Sequence, residues 1–90
     1  MNPEQLSNFR NKLLETTTFP TVYMFKFIVK SEHRLIALVE NMFDEDAEIH
    51  IKESSSGKYT SITAKQVAMD VDSITNIYVK ANEIPGIIFL

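Results

Sequence analysis

Two histidines, twelve acidic side chains and a serine-rich turn carry whatever chemistry this 90-residue chain can perform, and there is no cysteine. That absence removes disulfides, thiolate nucleophiles and zinc–sulfur sites. His33 and His50 fall in different predicted elements with no carboxylate at metal-ligand spacing, so they read as exposed or helix-terminal residues. Asp44, Glu45, Asp46 and Glu48 lack the alternating oxygen spacing and closing glutamate of a calcium loop and read as a solvated acidic loop. The run Ser54-Ser55-Ser56-Gly57-Lys58 resembles a phosphate loop only in outline. A Walker loop needs a glycine five residues before its Gly-Lys and a hydroxyl after it; here those positions hold Lys52 and Tyr59. The segment also joins two predicted strands, which makes it a hairpin turn. No serine can be placed beside a base. The expectation is a chain that is not an enzyme, with no catalytic residue, no metal and no cofactor.

The elements that position these residues follow from hydropathy period. Leu6, Phe9, Leu13 and Leu14 mark a helix over residues 3–15, with Asn2 as N-cap and Pro3 at its first position. Thr16, Thr17 and Thr18 end it, because β-branched residues disfavour helix. From Thr21 to Lys30 the period is two, with Tyr23, Phe25, Phe27 and Val29 on one face and Val22, Met24, Lys26 and Ile28 on the other. The aromatic face is the core face, since the other must expose the Lys26 ammonium. Ser31 is the expected N-cap of a helix reaching about Phe43 along Leu35, Ile36, Leu38, Val39, Met42 and Phe43.

Two strands then form a hairpin, Ile49 and Ile51 facing in on the first, Ile62 and Ala64 on the second. Gly57 supplies the positive φ of the turn. Asp70 caps a last helix along Ile74, Ile77, Tyr78 and Ala81, Pro85-Gly86 stops it, and residues 86–90 make a terminal strand. The order predicts an α+β, ferredoxin-like βαββαβ two-layer sandwich with a four-stranded antiparallel sheet, preceded by an extra N-terminal helix. Residues 1–18 are the helical extension and residues 19–90 the ferredoxin-like domain.

Composition agrees with one small domain: 44% hydrophobic and 23% charged residues in 90, with a net charge of −3. An acidic balance argues against a dedicated nucleic-acid binder. So does the predicted third strand, Lys58-Tyr59-Thr60-Ser61-Ile62, with one aromatic where an RNA-recognition motif stacks bases on several. The polar start, Met1 to Gln5, is no signal peptide, and the longest apolar run, Ile87 to Leu90, is far short of a membrane span. A cytoplasmic location without membrane attachment is expected.

One constellation remains. The sheet face opposite the core should present Met24, Lys26, His50, Lys52, Tyr59, Ser61, Thr63 and Lys65, with the Ser54, Ser55 and Gly57 turn at its end. Three of nine basic residues on one open face of an acidic protein suit an acidic partner surface, a carboxylate or a phosphate.

Phe19-Pro20, Tyr23 and Lys26, followed by Ser54-Ser55-x-Gly57-x-Tyr59-x-Ser61 and the helix bearing Ile77-Tyr78, resemble the YbeD family of small bacterial proteins, over roughly Phe19 to Leu90. The resemblance implies a fold similar to the ACT regulatory domains, which bind amino acids. ACT domains place a glycine-bearing loop after their first strand, whereas the corresponding junction here is Val29-Lys30-Ser31-Glu32.

The leading expectation is therefore a regulatory or protein-interaction module that meets a protein partner through the open face or an edge strand, with a second copy of the chain among the candidates. The alternative is an ACT-like sensor of an amino acid or other anionic metabolite; RNA binding ranks below both.

Overall fold

Asn2 opens the first helix with a reciprocal pair of hydrogen bonds. In the computed structural model, which describes residues 1–90, its side chain accepts from the Gln5 N–H at 2.8 Å, and the Gln5 side chain accepts from the Asn2 N–H at 2.9 Å. This capping box satisfies two donors that the first turn of any helix leaves unpaired. Helix α1 spans Pro3–Thr16. After it come β1 (Thr21–Lys30), α2 (His33–Glu40), β2 (Glu48–Glu53), β3 (Tyr59–Ala68), α3 (Val71–Ala81) and β4 (Ile88–Phe89). The strands form one antiparallel sheet in the order β2-β3-β1-β4. This is the ferredoxin-like arrangement, preceded by a helix, that the alternation of periods predicts.

The sheet's strongest seam is β1 against β3, ten residues in unbroken register from Thr21↔Ala68 to Lys30↔Tyr59. That register aligns Phe25, Phe27 and Val29 with Ala64, Ile62 and Thr60 on one face, all buried. Leu35 and Val39 of α2, and Ile74, Ile77 and Tyr78 of α3, cover them from the helical side. Burying each large apolar side chain contributes about 1.5–3 kcal/mol. Gly57 turns the β2–β3 hairpin with φ +74°, as its position requires, and Gly86 has φ +69° before β4.

Three boundaries differ from the sequence reading, each for a local reason. Ser31 does not cap α2. Its hydroxyl shares a 2.8 Å hydrogen bond with Thr60 Oγ1 and its N–H donates to the Lys58 carbonyl at 3.0 Å, tying the end of β1 to β3. Glu32 takes the cap position without a side-chain bond, α2 ends at Glu40, and Met42 and Phe43 reach the core from the turn that follows. Helix α3 stops at Ala81, ahead of Pro85-Gly86, with Ile84 buried between them. β4 is two residues long. It pairs only with Phe27 and Ile28 of β1, supplemented by the Leu90 N–H donating to the Lys26 carbonyl at 3.1 Å.

Helix α1 lies on α3, in the helical layer. Leu13 is 7% exposed, and Phe9 meets Tyr78 edge-on with ring centroids 5.1 Å apart. Leu14, counted in the apolar stripe from spacing alone, points outward and is exposed. With α1 on that side, the sheet has one covered face and one bare face.

Asp70 caps α3, accepting from the Ser73 hydroxyl at 2.8 Å and the Ser73 N–H at 2.9 Å. Those two bonds, the hydroxyl first, hold its carboxyl below the ordinary aspartate range. A carboxyl lowered on folding contributes stability above its unfolded value of about 3.9, and the contribution is lost as pH falls through the folded value. Asp70→Ala is therefore expected to lower Tm at pH 7, with the difference from wild type shrinking as the pH drops below about 3.9. Paired thermal melts across that range check it; a difference independent of pH would assign the effect to helix propensity alone.

Candidate functional site: the open sheet face

Strand parity places every second side chain of β1, β3 and β2 on the bare face, and the register sets them in rows. Val22 stands beside Val67. Glu48, Lys65 and Met24 form the next row, followed by His50, Thr63 and Lys26. Lys52, Ser61, Ile28 and Ile88 come next, and Tyr59 with Lys30 closes the face at the hairpin end. All eight face residues expected from the sequence, Met24, Lys26, His50, Lys52, Tyr59, Ser61, Thr63 and Lys65, lie on this one surface. Met24, Lys26, His50, Lys52 and Tyr59 are exposed, and Ser61, Thr63 and Lys65 along the inner strand β3 are half-buried.

The cations of this face are free. The chain has two ion pairs, Arg10–Asp72 at 3.3 Å and His50–Glu48 at 3.1 Å, and neither involves a lysine. Glu48 sits directly across from Lys65 in the register, yet its carboxylate turns along its own strand to the His50 ring. Lys26, Lys30, Lys52 and Lys65 are thus four of the nine basic residues, set against Glu48 as the one acid whose strand parity puts it on the face, with Glu53, Asp44 and Asp46 at the edges of its clefts. Counted by strand parity, the face carries net +3, and the other five cations and eleven acids leave −6 for the rest of the chain. Such a separation orients an approaching acidic body toward the sheet.

The face carries more apolar surface than the Met24 and Tyr59 that the sequence reading counts on it. Val22 is 66% exposed, and Met24, Val67, Ile88 and Tyr59 are exposed as well. Val22 and Ile28 have the parity of Lys26 and were legible as face residues. Val67 belongs to the face because β3 runs on to Ala68, past the point where alternation of obvious hydrophobic and polar residues fades. Tyr59 is the one aromatic side chain exposed on the face, as Tyr23, Phe25 and Phe27 point to the core.

The serine turn is built to hold itself. Ser54 Oγ accepts from the Tyr59 N–H at 3.2 Å, Ser54 and Ser56 hydroxyls meet at 3.3 Å, and the Gly57 N–H donates to the Ser54 carbonyl at 2.9 Å. Ser54 and Ser55 line an open cleft of about 290 Å³ together with Ile28, Lys52, Glu53, Tyr59 and Ser61. A second cleft of about 310 Å³ lies at the far end of the face, between Val22, Val67, Lys65 and the Asp44–Glu48 loop. No three His, Asp or Glu side chains come together as a metal-holding group. No helix is long and apolar enough to cross a membrane.

No curated protein and no solved structure matches the chain. Its residues 15–90 match the family described as "Protein of unknown function (DUF493)", the same family as YbeD. The match covers the last two residues of α1 and the whole βαββαβ unit whose bare, lysine-bearing face is described above, and the chain belongs to the DUF493 family.

Proposed function

We propose that this chain is a non-enzymatic regulatory module that acts by binding an acidic protein partner on its open sheet face. The observation that carries this reading is the set of unpaired lysines, Lys26, Lys52 and Lys65, standing among exposed Val22, Met24, Ile88 and Tyr59. Interfaces combine apolar anchors with charges that select and steer the partner. A solvated sheet face normally presents polar side chains throughout, and this one does not. The clefts on the face are open to solvent, which favours a macromolecular surface over an enclosed metabolite. A single exposed aromatic gives little to stack bases on.

The test is affinity capture from lysate of the native host with wild-type bait and with the Lys26→Glu/Lys52→Glu/Lys65→Glu variant, the latter first shown to fold by circular dichroism. The expected result is an acidic protein held by wild type, released by raised salt, and lost from the variant. Identical recoveries from the two baits would return the face to plain solvated surface.

A further inference from the structure

The two clefts of the open face differ in chemistry. The one beside the Asp44–Glu48 loop is ringed by acids as well as Lys65. The one at the hairpin end exists because Ser61, a small residue on the inner strand, is flanked by longer side chains: Lys52 across β2, Ile28 across β1 and Tyr59 two residues back on the same strand. Two hydroxyls of its floor are already engaged. The Ser61 hydroxyl donates to the Lys52 carbonyl at 3.3 Å, and Ser54 Oγ accepts the Tyr59 N–H at 3.2 Å. The exposed wall is mainly apolar, from Ile28 and the Tyr59 ring; the Lys52 ammonium and the Glu53 carboxylate stand at the rim with Ser55, and Lys26 lies one row away.

A cleft with mostly apolar walls, whose Ser54 and Ser61 hydroxyls are already satisfied, has more to gain from an apolar side chain than from a polar one. The unpaired lysines around it select carboxylates on either side of that side chain. We propose that the cleft over Ser61 is the anchor pocket of this face, taking one aromatic or large aliphatic side chain from an acidic protein segment whose flanking carboxylates meet Lys52 and Lys26. This assignment rests on the protein-binding reading above and adds the recognition element: an apolar residue within an acidic stretch.

The probe is an acetylated, amidated heptapeptide with a central phenylalanine and Asp-Glu-Asp on each side, titrated into isotopically labelled protein and followed by amide chemical shifts. A matched peptide with central alanine and the small acid phenylacetate are run beside it. The phenylalanine peptide should shift the amides of Ile28, Lys52 and Ser61, and the alanine peptide should bind at least about tenfold more weakly, the lower end of what burying one such side chain supplies. Ser61→Phe fills the cleft with a residue that strands accept, and Lys52→Glu reverses its rim. Each is expected to weaken the phenylalanine peptide about tenfold or more while far-ultraviolet circular dichroism stays unchanged.

Equal binding of the two peptides, or full binding to a folded Ser61→Phe variant, would overturn the anchor pocket and leave the basic face standing. Phenylacetate binding at the same amides as tightly as the peptide would reassign the cleft to a small acid. Failure of both peptides to bind wild type at low salt would overturn the pocket and the acidic-partner reading together.

Discussion

Tyr78→Ala is expected to destabilise the fold by about 3–5 kcal/mol, the range for removing a large buried ring, and with it a large share of the stability of a 90-residue domain. Tyr78 is where the layers meet. Its ring lies 5.1 Å from Phe9 of α1, 5.6 Å from Phe25 and 5.7 Å from Phe27 of β1, and 5.7 Å from Phe89 of β4. Edge and tilted aromatic pairs add to the area that each ring buries. Truncation would leave a cavity bordered by four elements, and equilibrium urea unfolding measures the cost. A loss below about 1 kcal/mol would mean that the surrounding rings collapse onto the space.

The hydroxyl of Tyr78 separates packing from polarity. Burial, and then its 3.4 Å contact with the Tyr23 hydroxyl, hold the phenol well above the ordinary tyrosine range. A group whose protonated form is favoured by folding costs nothing below its unfolded value of about 10. Its contribution is lost as pH rises through and beyond that value. Tyr78→Phe should therefore stay within about 1 kcal/mol of wild type at pH 7, because a 3.4 Å hydroxyl contact is weak. Above pH 10 the variant should lose stability less steeply than wild type.

Strand period made the core of the sheet legible: Phe25, Phe27 and Val29 alternate with Met24, Lys26 and Ile28, and a one-residue slip would bury Lys26. The same parity exposed the lysine face. Capping was legible where one side chain had one use, at Asn2 and Asp70. It misled at Ser31, whose hydroxyl is claimed by Thr60, a partner 29 residues away that no local pattern announces. Apolar content of the face was underread for a related reason. Val67 becomes a face residue only once β3 is known to pair with β1 over its full ten residues, a long-range fact. The docking side of α1 was also hidden, since a stripe of Leu6, Phe9 and Leu13 states that the helix packs but not against what.

Leu13→Ala answers that last point with a second large effect, a loss of about 2–5 kcal/mol for a buried leucine. Leu13 is the one residue of α1 that is fully buried, and it joins the same cluster as Ile74, Ile77 and Tyr78. By contrast Arg10→Ala removes an exposed 3.3 Å pair with Asp72 and should cost no more than about 1 kcal/mol. Urea unfolding of both variants beside wild type ranks the two contacts; a larger loss at Arg10 than at Leu13 would mean that charge, not packing, seats the helix. Because α1 rests on α3, with the sheet between it and the lysines, the Leu13 variant should bind the acidic partner with unchanged affinity under conditions where it remains folded. The Lys26/Lys52/Lys65→Glu variant should show the reverse, near-wild-type stability with binding lost. Stability lodged in the helical layer and recognition lodged on the bare face would then vary independently, as additivity requires of sites that share no contact. A Leu13 variant that loses its partner while still folded would show that the two layers are coupled through β1.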